Sequence, residues 1–242
     1  MSTTPTVLPT AFVRKFRSLG DLSIRRGLIA NTLGNADAPS IARFLGYLLT
    51  RMDSDGIRPL YLDTITAILA PNALSRELRR DVYCRLADDR FAPVYLFLSD
   101  VIDPRPRTVS REFPYELEDE ALGVRKSKAR SSNLDTLKLV SADPDPEVIR
   151  ILLDNPMVTG DLSLKVASLR PQNRASFLVM LSNPRFGIRE IIQAAIVQNP
   201  FCPIRLAAAT VPLLSRRHQD QVHESPSLDP RVRDAALCVM EP

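Results

Sequence analysis

The chain has 242 residues, 45% of them hydrophobic and 25% charged, with a net charge of +4; that is enough to bury a core without staples and excludes wholesale disorder. The pI near 9.1 permits a nucleic-acid or membrane-surface partner without demanding one, because a dedicated binder concentrates its charge in one patch or tail. Pro is abundant at 20 and Gly scarce at 8, so helix stops rather than flexible turns punctuate the chain, and no run approaches the ~20 apolar residues that cross a bilayer.

Met1 to Pro9 is a short Thr/Pro-rich tail without basic residues or an apolar h-region, and a cytoplasmic protein is expected. Apolar residues then recur at helical spacing: Phe12, Val13, Phe16 and Leu19, followed by Leu22, Ile24, Leu28 and Ile29. The pattern continues through Ile41 to Met52, Leu62 to Leu69, and Leu74 to Leu86, with no period-2 stretch between them. Stop or start chemistry separates the segments at Gly20-Asp21, Asn35 to Ser40, Asp53 to Gly56, Pro71-Asn72 and Asp88-Asp89,. Residues 10–102 therefore read as about three helical hairpins whose short connections make sequential helices antiparallel neighbours.

Residues 103–120 change character, with Pro104, Pro106, Pro114 and the acidic Glu116, Glu118, Asp119 and Glu120, and read as a linker or irregular excursion. Arg125, Lys126, Lys128 and Arg130 follow at once. They fit a solvated helix complementing the acidic stretch, or a phosphate-binding patch.

Residues 121–242 form a helical region that becomes self-similar from Ala142. Asp145-Pro146, Gly187-Ile188-Arg189 and Asp229-Pro230 each open an apolar helix, and Asn155-Pro156 and Asn199-Pro200 close the first two. Asp before Pro offers an N-cap acceptor with Pro at N1, and Pro after Asn disfavours helical backbone in the residue before it. The Asn-Pro pairs stand 44 residues apart, a beat that belongs to stacked helices. The string from Asp143-Pro144-Asp145-Pro146 through Val148, Arg150 and Leu153 to Asn155-Pro156 resembles the bacterial leucine-rich-repeat-variant unit, akin to HEAT and armadillo repeats. The match is looser over Gly187 to Pro200 and partial over Asp229 to Met240. The resemblance implies an all-α fold, an α-α superhelix of the HEAT/armadillo-like solenoid kind, and no specific chemistry. Some proteins of this type carry a cysteine-ligated cluster; Cys84, Cys202 and Cys238 are too scattered for one, and read as small buried apolar residues in a reducing compartment.

Catalytic constellations are lacking. The two histidines, His218 and His223, fall roughly 140° apart on a helix, unsuited to joint ligation. There is no HExxH, GxSxG or Gly-rich phosphate loop. The absence of Trp removes the usual stacking platform of a helical-repeat glycosylase. Asp145 and Asp229 read as helix caps rather than acids or bases.

The candidate partner-binding residues are Arg125, Lys126, Arg150, Arg189, Arg205, Arg231 and Arg233. They could align into a basic stripe, or flank the apolar face with buried stems and wet guanidinium groups. The expected function is a non-enzymatic scaffold for protein–protein interaction, without cofactor, metal or small-molecule substrate and without membrane association. Sequence-independent nucleic-acid binding through an Arg-rich face is the alternative.

Overall fold

The computed structural model describes residues 9–101, 103, 117 and 120–241. Their regular structure is entirely helical. The N-terminal part holds α1 (Pro9–Arg17), α2 (Leu22–Gly34), α3 (Ala38–Leu49), α4 (Ile57–Leu69) and α5 (Arg76–Arg85), then a short 3-10 helix, Val94–Leu98. The C-terminal part holds α6 (Leu122–Lys128), α7 (Leu134–Val140), α8 (Pro146–Asp154), α9 (Gly160–Ser168), α10 (Arg174–Ser182), α11 (Glu190–Val197) and α12 (Ile204–Thr210). A 3-10 turn at Val211–Leu213 leads to α13 (Arg216–Glu224) and α14 (Pro230–Met240). Apart from Glu120, the acidic cluster expected at 116–120 lies outside the described residues, as do Pro104, Pro106 and Pro114.

The helix ends follow local chemistry. Asp21, Asp37, Ser75, Asn133, Asp145, Thr159, Asn173 and Asp229 each sit at an N-cap and accept a first-turn backbone amide on the side chain, which satisfies donors the helix cannot. Pro146 and Pro230 occupy the first turn, where a missing N–H costs nothing,. Asn155 and Asn183, each before a Pro, take extended backbone and end α8 and α10,.

Within residues 10–102 the main helix neighbours are next-but-one rather than the consecutive hairpins expected: α2 packs on α4 and α3 on α5. The same spacing recurs where α6 packs on α8, α8 on α10 and α9 on α11, whereas α13 and α14 form a consecutive pair. The chain α6–α8–α10 then continues into α4 and α2, so N- and C-terminal helices meet directly. Helix α4 also touches α1, α3 and α12, and ten of its thirteen residues are buried. A helix enclosed on all sides cannot be amphipathic, and its polar groups must be satisfied internally. Thr64 and Thr66 donate to the Leu60 and Leu62 carbonyls, and Tyr61 donates to the Ala209 carbonyl of α12 at 2.9 Å. Buried Asp63 receives Arg25 Nε at 2.6 Å and Arg26 Nε at 2.8 Å; Arg26 also donates to the Ser182 carbonyl at the end of α10. The Val94–Leu98 3-10 helix is buried at every residue and lies against α5, α12 and α14.

Candidate interaction surface

The sequence-selected basic residues occupy separate environments. On α6, Arg125 donates from Nη1 to both oxygens of buried Asp143, at 2.6 and 2.7 Å, which makes it a structural strut. Lys126, one residue on, lies within electrostatic reach of Glu147 on α8. Arg150 bonds Glu147 at 2.9 Å and approaches Asp154 at 3.6 Å, and that guanidinium holds the Glu147 carboxyl below its ordinary range. Lys126 and Arg150 therefore share the neighbourhood of Glu147 across α6 and α8, while Arg125 is held by Asp143.

Arg205 is half-buried on α12 and donates to the Phe97 carbonyl. Burial and nearby Arg79 lower its pKa, against the pull of Asp100 and Asp103. Arg231 pairs with Asp229, its own helix cap, at 2.8 Å. Arg233 is partly buried, with no hydrogen-bond partner for Nε among the described residues. Arg189 is exposed and lies against Gly160 and 5.5 Å from the centre of the Phe186 ring.

The Asn-Pro pairs, legible in sequence only as helix stops, also make tertiary hydrogen bonds through their side chains. Asn155 donates to the Ala129 and Ser131 carbonyls at 3.0 and 2.8 Å and accepts from the Met157 amide at 2.9 Å. Asn199 repeats the arrangement, donating to Ala167 and Leu169 at 3.0 and 2.8 Å and accepting from the Phe201 amide at 3.1 Å. A third, Asn183-Pro184, donates to Asp154 at 3.1 Å and accepts from the Arg185 and Phe186 amides. Each amide thus clips the end of one helix to the exit of the helix two before it. Arg185, also unselected, donates to the Asn155 and Val158 carbonyls at 2.8 and 3.0 Å. The only legible signal was the recurrence of Asn-Pro itself.

The clip at Asn155 floors a groove of about 550 Å³ between the exits of α6 and α8. Ile151, Pro156 and Met157 form its apolar part, and Arg130, Arg150 and Asp154 stand among its polar lining. Met157 is 43% exposed, and Arg130 donates to the Lys126 carbonyl at 3.0 Å. Comparison of the chain with protein-family models, curated proteins and solved structures finds no match.

Ser215, His218 and Glu190 are neighbours, but the Ser215 hydroxyl and Glu190 both contact the same ring nitrogen, Nδ1, at 3.3 and 2.6 Å. A nucleophile–base–acid relay needs the two partners on opposite nitrogens. Burial pushes the Glu190 carboxyl up, yet hydrogen bonds from Ser215 and His218 outweigh it and bring it to about 2. His223 lies instead 3.4 Å from the Arg233 carbonyl, so the histidines do not converge. Cys202 is buried and Cys238 partly so, but Cys84 is exposed on α5, contrary to the expectation of a buried residue. Among the described residues no cluster of three or more His, Cys, Asp or Glu has metal-holding geometry, and no helix is long and apolar enough to cross a membrane.

Proposed function

We propose that this chain is a non-catalytic helical scaffold, its C-terminal region a solenoid of the HEAT/armadillo kind related to the leucine-rich-repeat-variant unit, and that it binds a partner protein. Support for the solenoid reading comes from next-but-one packing across α6, α8 and α10 and across α9 and α11, with an Asn side chain clipping each step. The observation that carries the binding reading is the groove at Ile151, Pro156 and Met157: an apolar floor left open beside Arg130. Its occupant is an extended segment of the partner that seats one apolar side chain on Met157 and places a carboxylate against Arg130. A few such anchors carry most of an interface's affinity. Nucleic-acid binding has less support, because Arg125, Arg150 and Arg231 already hold carboxylates, which weakens the field a phosphate backbone would meet.

Selection from a random peptide library tests the proposal. Enriched peptides should pair an acidic with an apolar residue, and Met157→Glu and Arg130→Glu should each weaken binding at least tenfold with the thermal midpoint unchanged. Peptides without that pairing, or binding indifferent to both substitutions, would overturn the groove assignment. Robust turnover by the pure protein would overturn the non-catalytic part.

A further inference from the structure

A second concavity lies on other elements. It is about 320 Å³ in volume and is enclosed by the α3–α4 connection, the residues ahead of the Val94–Leu98 helix, the start of α13 and the end of α14. Three arginines line it: Arg58, Arg90 and Arg216. Arg58 donates to the Leu213 carbonyl at 3.3 Å, Arg90 to the Glu241 carbonyl at 3.4 Å, and Arg216 to the Met240 carbonyl. Arg90 is further fixed by stacking 4.4 Å over the Phe91 ring.

Carbonyl partners orient a guanidinium without cancelling its charge. Carboxylate contacts in the described residues are loose: Arg58 to Asp53 at 3.9 Å and Arg216 to Asp220 at 3.6 Å. Asp53 is fully exposed and is the one carboxylate in the lining, against three guanidinium groups. The first turn of α13 borders the basin through Arg216 and Gln219, but the Glu190 carboxylate already accepts from the Ser215 amide at that helix end, so the positive charge of the basin rests on the arginines. Planar guanidinium forks match the oxygens of a phosphate group. The four converging segments bound a short, partly open basin rather than the long groove that a polymer backbone needs.

We propose that this basin binds a compact dianionic oxyanion, inorganic phosphate or the phosphate of a small monoester. Because the arginines come from α4, from the segment before the 3-10 helix and from α13, the bound anion cross-links regions distant in sequence and stabilises the folded chain by mass action.

Thermal unfolding and titration calorimetry of the full chain at pH 7 test this, with phosphate and glycerol 3-phosphate as separate arms and chloride matched for ionic strength. Saturating ligand should raise Tm by about 2–6 °C over chloride; the arm with the lower Kd identifies the free anion or the monoester. Arg216→Gln and Arg58→Gln should raise Kd at least tenfold. Because both also remove a structural hydrogen bond, Asp53→Asn supplies the independent variant: it alters a fully exposed carboxylate, leaves Tm without ligand unchanged and should lower Kd about two- to fivefold. No stabilisation beyond chloride, an Asp53→Asn Kd unchanged or raised, or an oligonucleotide that displaces the monoester at lower concentration would overturn the proposal.

Discussion

Replacing Asn155 or Asn199 with Ala removes the same three hydrogen bonds from two helix ends. Asn155 is 7% exposed and Asn199 is 1% exposed, so water reaches the abandoned carbonyls at the first site more readily than at the second. A net hydrogen bond contributes about 1 kcal/mol, and a stranded buried polar group costs about 1–3 kcal/mol. Asn155→Ala should therefore destabilise the protein by about 2–3 kcal/mol and Asn199→Ala by about 3–4 kcal/mol. Asn→Asp at either site sharpens the test, because it keeps the acceptor for the following amide but aims a carboxylate at two carbonyl oxygens. The Asp variants should be at least as destabilised as the Ala variants. Urea unfolding followed by far-UV circular dichroism measures both, the midpoint falling at constant slope. A loss below about 0.5 kcal/mol in either Ala variant, or Asp tolerated better than Ala, would refute the idea that the amide donors hold the steps together.

Two further outcomes follow from buried and bridging charges. Asp63→Ala leaves Arg25 and Arg26, whose side chains are 19% and 17% exposed, facing each other without their shared carboxylate. It should cost about 3 kcal/mol in the same urea assay, and a neutral effect would show that the junction between α2, α4 and α10 rests on apolar packing alone. Glu190, held at about 2, titrates lower in the folded than in the unfolded chain, so its contribution is fully present above its unfolded value near 4.5 and is lost as pH falls towards 2. Its side chain is 39% exposed, which reduces the nominal linkage to about 1–2 kcal/mol. Glu190→Gln should remove that much at pH 6 and flatten the fall in stability between about pH 4.5 and 2; an unchanged acid profile would count against the clamp.

The all-helical composition was legible in the sequence because helix ends are decided locally. An Asp, Ser or Asn side chain reaches an amide two or three residues ahead, and a Pro restricts the residue before it; neither depends on what the helix packs against. Apolar periodicity likewise located α3 and α4, which the structure places at Ala38–Leu49 and Ile57–Leu69. Periodicity does not name the partner helix. That choice depends on how much apolar surface all pairings bury at once, and it set α2 against α4, α10 against α4, and the Val94–Leu98 segment against α12 and α14. The candidate sites share this dependence: Asn155 meets carbonyls 24 and 26 residues earlier, and Arg58 meets one 155 residues later. Side-chain type alone could not distinguish Arg125, consumed by Asp143, from Arg216, held by a carbonyl and lining a basin, because a guanidinium's remaining charge is fixed only by the acceptors that folding brings to it.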